Sequence, residues 1–89
     1  MIDAARAQAF AEAYAPAVLD VVKPNAVWHV GVTAEEYAAG MAVAMLRTIQ
    51  VYGVAAVEHY YINQAGALAA ACKTLGIRPA QLQDYLEGR

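Results

Sequence analysis

The stretch Thr33-Ala34-Glu35-Glu36-Tyr37-Ala38-Ala39-Gly40-Met41-Ala42-Val43-Ala44-Met45-Leu46-Arg47-Thr48-Ile49-Gln50-Val51-Tyr52-Gly53 decides the fold. Its first four residues form a capping box: the Thr33 hydroxyl is placed to accept the backbone N–H of Glu36, and the Glu36 carboxylate to reach back to Thr33. Glu35 and Glu36 also meet the positive end of a helix favourably. Ala38, Met41, Ala42, Met45, Ile49 and Tyr52 then recur at helical spacing and trace one apolar face. Gly53 stands where a helix closes on a left-handed residue.

Moving toward the C-terminus, Val54 to Tyr61 is open between two readings. Its β-branched and aromatic residues suit a strand, while Ala55, Ala56 and Glu58 suit a helical turn. A further helix starts at Asn63 or Gln64 and carries Leu68, Ala71, Cys72 and Leu75 on one side. Gly76 closes it, and Ile77 is the apolar residue that commonly follows such a cap. Pro79 then opens a short last helix through Leu86, with Leu82, Tyr85 and Leu86 facing inward. From Ala67 to Leu86 the order of small residue, turn glycine and flanking apolar residues fits a helix-turn-helix hairpin.

On the N-terminal side, Asp3 is placed to cap a first helix whose face is Phe10, Tyr14, Ala17 and Val21. Pro16 lacks an N–H and crowds the preceding turn, so the helix either kinks or restarts there. Pro24 ends it by displacing Lys23 from the helical region. Val27-Trp28-His29-Val30 reads as a loop that returns Trp28 to the core, since one extended piece makes no sheet.

The expected architecture is therefore all-α: a small orthogonal bundle of four helices, within a range of three to five, forming one domain over residues 1–89. With 61% hydrophobic and 16% charged residues the chain is not disordered. Twenty-two alanines let helices approach closely but supply little apolar bulk, so a homodimer is one way to enlarge the core. Six Lys/Arg against eight Asp/Glu, with no basic run, make a general phosphate-binding surface unexpected. A lone Cys72 excludes an internal disulfide framework and suits a reducing cytoplasm. Met1 to Arg6 has no signal-peptide character. The longest apolar stretch, Tyr37 to Leu46, is too short for a membrane span of roughly 20 residues. The chain is expected in the cytoplasm, without a membrane partner.

The segment Ala71-Cys72-Lys73-Thr74-Leu75-Gly76-Ile77, followed by Tyr85-Leu86, resembles the C-terminal end of a group of small phage and prophage helical proteins of uncharacterised role. Phe10, Tyr14 and Met41 extend the likeness loosely. Where those proteins often carry Asp-Gly before the final unit, this chain has Ala65-Gly66. The resemblance covers about a quarter of the chain and brings no functional residues with it. It implies a mobile-element origin, and hence the cytoplasm of a host.

Four kinds of site can be weighed. The aromatic group Trp28, Tyr52, His59, Tyr60 and Tyr61 points to a protein-binding surface, because Tyr and Trp dominate binding hot spots. Six tyrosines against one phenylalanine is also unusual for a core, where each hydroxyl needs a partner. The competing reading is that these rings cap a small alanine-rich core. As an alternative, the last helix could read DNA through Arg78, Gln81 and Gln83, with Lys73 on phosphate; Asp84 and Glu87 oppose this.

His29, Glu58, His59 and Cys72 lack the short spacing of a zinc site, so no metal or other cofactor is expected. No Cys–His or paired-carboxylate arrangement is local enough to suggest catalysis, and the chain is not expected to be an enzyme. The function this favours is a phage or prophage accessory protein that binds a host or defence factor, with inhibition of a CRISPR component as one specific form. The alternative is a small helix-turn-helix DNA-binding protein.

Overall fold

The structure is a computed structural model that describes residues 1–22, 32–60 and 65–89; for residues 21, 22 and 58–60 it describes the backbone alone. Five α-helices follow one another: α1 (Ala4–Val22), α2 (Ala34–Tyr52), α3 (Val54–Tyr60), α4 (Ala65–Leu75) and α5 (Leu82–Leu86), the last preceded by a 3₁₀ turn, Pro79–Gln81. No strand occurs among the described residues. The all-α bundle and its helix-turn-helix-like C-terminal hairpin are as the sequence predicts.

Helix α1 is the hub, with α2 and α4 packed along it and α5 docked at its start. Its N-terminus is capped by Asp3, whose Oδ2 accepts the Arg6 N–H at 3.0 Å. The backbone N–H of Asp3 in turn donates to the Leu86 carbonyl at 2.7 Å, tying the first helix to the last. Pro16 lies inside α1, which neither stops nor restarts there. The face it buries is Phe10, Tyr14 and Val18, a strict four-residue step. Ala17 is only half-buried, so the expected Phe10–Tyr14–Ala17 line is corrected by one position. The Phe10 and Tyr14 rings stack at 5.4 Å between centroids. The expected helix end at Pro24, the Val27 to Val30 loop and Val21's side chain lie outside what is described.

Helix α2 opens on the predicted Thr33 cap: the Glu36 N–H donates to Thr33 Oγ1 at 3.1 Å, while the Glu36 carboxylate reaches back to the Thr33 hydroxyl, which donates to Oε1 at 3.1 Å. It buries Ala38, Ala42, Met45 and Ile49. Gly53, at φ 89°, ψ 167°, ends it and donates its N–H to the Ile49 carbonyl. The open segment after it is helical: α3 begins at the next residue and buries Val54 and Val57.

Helix α4 buries Ala67, Leu68, Ala71 and Cys72 and is described from Ala65; Asn63 and Gln64 fall outside the described residues. Gly76, at φ 75°, closes it. Its N–H donates to the Lys73 carbonyl at 3.1 Å, and that of Ile77 to the Cys72 carbonyl at 3.0 Å, the paired bonds of a Schellman cap. The same pair recurs after α5, where Gly88 donates to Tyr85 and Arg89 to Asp84. Leu82 and Leu86 are fully buried and Tyr85 half-buried. The buried side chains form one core cluster fed by every helix.

Candidate protein-binding surface and the C-terminal hairpin

Of the proposed aromatic group, Tyr52 is the member whose side chain can be placed. It follows Met45 and Ile49 on the core-facing line of α2, yet it is 74% exposed, and its neighbour Val51 is 70% exposed. The expectation that Tyr52 continues the buried face is therefore corrected: the last two side chains of α2 stand in water, and the chain returns to the core at Val54. His59 and Tyr60 lie on the last turn of α3, where only the backbone is described, and Trp28 and Tyr61 lie outside the described residues.

Two of the four groups offered for DNA reading, Gln81 and Gln83, are committed within the chain. The side-chain oxygen of Gln81 accepts the Arg78 N–H at 2.9 Å, a cap on the short turn that Gln81 itself completes. Gln83 Oε1 accepts the Val54 N–H at 2.8 Å, pinning the start of α3 to α5. Gln83 and Arg89 both hydrogen-bond Glu87; chiefly through Arg89, they hold its carboxyl below the usual carboxylate range. Arg78 and Lys73 are exposed, Lys73 in the last turn of α4, where a cation suits the helix dipole. Between the buried Leu82 and Leu86, the exposed side chain of the last helix is the carboxylate Asp84.

A cleft of about 260 Å³ at this end is lined by Arg6, Ile77, Gln81, Asp84, Tyr85 and Arg89. The Arg6 guanidinium lies 4.7 Å from the Tyr85 ring centre, and its Nη1 donates to the Tyr85 carbonyl at 3.3 Å. Arg89 pairs with Glu87 at 2.7 Å. Both cations are thus partnered by the chain itself, which makes the cleft a joint between α1 and the hairpin. No local pattern announces it, because its walls come from opposite ends of the chain.

Cys72 is fully buried, and burial pushes its thiol above the ordinary range. That is the reverse of what a nucleophile needs. No cluster of three or more His, Cys, Asp or Glu able to hold a metal occurs among the described residues. No described helix is long and apolar enough to cross a membrane.

Compared with family models, curated proteins and solved structures, the chain matches none. The surface itself therefore carries the functional argument. Val51 and Tyr52, two adjacent large apolar side chains, stand exposed at the C-terminal end of α2.

Proposed function

We propose that this chain works by binding another protein, through a surface built on Val51 and Tyr52 at the C-terminal end of α2. The observation that carries this reading is the exposure of Tyr52, 74%, on the helix line that elsewhere supplies the core. A solvated aromatic ring beside a solvated valine loses water favourably when a partner covers it. His59 and Tyr60 on α3, with Tyr61 and Trp28, extend the proposed contact group. The partner as a host or defence factor, and inhibition of a CRISPR component as one form of its action, rest on the resemblance to small phage proteins and on size.

The alternative, helix-turn-helix reading of DNA, is supported by the exposed Arg78 and Lys73 beside the turn. It is opposed by the internal bonds of Gln81 and Gln83 and by the outward Asp84. Two measurements separate the readings. Wild-type protein immobilised in lysate of its source cell should retain a protein that the Val51→Ser/Tyr52→Ala variant loses, with both showing the same helical circular dichroism. Equal retention by both overturns the proposed surface. In parallel, anisotropy of a labelled duplex at about 50 mM salt should show no saturable binding at micromolar protein. Binding that collapses as salt rises would favour the DNA reading instead.

A further inference from the structure

The outer face of α2 carries a self-complementary pattern of exposed residues. Glu36, Gly40, Val43 and Arg47 succeed one another at steps of four, three and four. At about 100° per residue this places them on one line, opposite the buried Ala38, Ala42, Met45 and Ile49. All four are exposed, Val43 by 48%. Ala39 and Ala44 flank the line, and from Tyr37 to Val57 Arg47 is the only charged residue.

Gly40 is the telling member. Glycine is a poor interior helix residue, and no neighbour among the described residues demands it: there a Cβ added at Gly40 would meet nothing within 4 Å. The described residues leave the space above it open.

The line is also self-complementary. Glu36 and Arg47 lie equally far on either side of the midpoint between residues 41 and 42, and so do Gly40 and Val43. An antiparallel two-fold pairing of α2 with another α2 about that midpoint sets each Glu36 against the partner's Arg47. It also sets each Val43 over the partner's Gly40. Among the described residues no carboxylate pairs with Arg47, so its charge is available to a partner. A parallel pairing would instead oppose like with like.

We propose that the outer face of α2 is a homodimer interface, formed with a second copy of this chain by antiparallel, two-fold packing centred between Met41 and Ala42. One helix pair buries less than a standard interface, so the association is a weak, reversible one. This goes beyond the partner surface at Val51 and Tyr52, which lies on the last turn of α2, past Arg47, and either can fail without the other.

Sedimentation equilibrium from about 10 µM to about 1 mM chain reads the association directly. Wild type is expected to pass from monomer to dimer over that range. Glu36→Arg and Arg47→Glu should each weaken dimerisation by roughly tenfold, since every substitution enters the two-fold interface twice. The double variant Glu36→Arg/Arg47→Glu should recover to near the wild-type constant, which a merely damaged helix would not do. Gly40→Leu should be monomeric while keeping its helical circular dichroism, because the added side chain has room in the monomer. A wild type that stays monomeric throughout overturns the proposal. So does a dimer that neither single charge reversal nor Gly40→Leu weakens.

Discussion

Gln83 and Val54 are joined by a hydrogen bond of 2.8 Å from the Val54 N–H to the Gln83 side-chain oxygen, across 29 positions of sequence. The bond satisfies a helix-start donor that α3 cannot satisfy itself. Gln83→Ala is therefore expected to cost about 1–2 kcal/mol, as the loss of a cap does, read as a lower urea midpoint at unchanged m-value. Gln83→Glu keeps the acceptor but adds a charge beside Glu87, and should fall between the two. A Gln83→Ala variant as stable as wild type would leave the side chain free for another role.

Two glycines should respond oppositely to the same change. Gly53 sits at φ 89°, ψ 167°, a region essentially reserved for glycine, with Gln83 Oε1 3.5 Å from where a Cβ would lie. Gly53→Ala is expected to lose about 1–3 kcal/mol. Gly40 is helical with open space around it, and Gly40→Ala should gain up to about 1 kcal/mol. Thermal unfolding of both variants in dilute solution, where the chain is monomeric, checks the sign of each.

Cys72 gives a redox-silent reporter. Its buried thiol should react with a disulfide reagent only as fast as the fold opens, so the labelling rate should rise with urea in step with unfolding. Because the folded thiol titrates above the unfolded one, its contribution to stability is intact below the unfolded value, about 8.5. That contribution is lost as pH rises through the folded value. Cys72→Ala should remove this alkaline loss, seen as a stability difference from wild type that shrinks as pH increases.

Glu87 behaves in the opposite sense. Its carboxyl is lowered, first by Arg89 and then by Gln83, so whatever it contributes is present above the unfolded pKa and fades as pH falls through the folded one. Arg89→Ala should move the Glu87 titration upward, toward the ordinary carboxylate value, in carboxyl-detected NMR. A titration that does not move would mean that Gln83 alone holds the group.

The elements that could be read from the sequence are those whose signals are local. Thr33 with Glu36, Gly76 with Ile77, and Pro79 each act within a few residues, and each cap or turn stands where its chemistry puts it. Helix α3 stayed ambiguous because seven residues carry little intrinsic preference, and its first N–H is satisfied by Gln83 from far along the chain. In α1 the four-three-four spacing selects Ala17, but the residue that α1 buries after Tyr14 is the larger Val18, one position on. Tyr52 was assigned to the buried face by period alone. Periodicity says which way a side chain points but not whether a neighbour covers it, and Tyr52 is left 74% exposed. The internal engagement of Gln81 and Gln83 was equally hidden, since composition distinguishes no glutamine that caps a turn from one that faces a groove.

The bond from the Asp3 N–H to the Leu86 carbonyl, reinforced by Arg6 on Tyr85, has a kinetic corollary. Helix ends commonly fray independently, but here the first turn of α1 and the last turn of α5 hold each other. They should exchange their amide hydrogens as one cooperative unit, with similar opening free energies despite lying at opposite ends of the chain. Loosening either would make the other labile to proteases, so the seam between them sets how the fold begins to come apart.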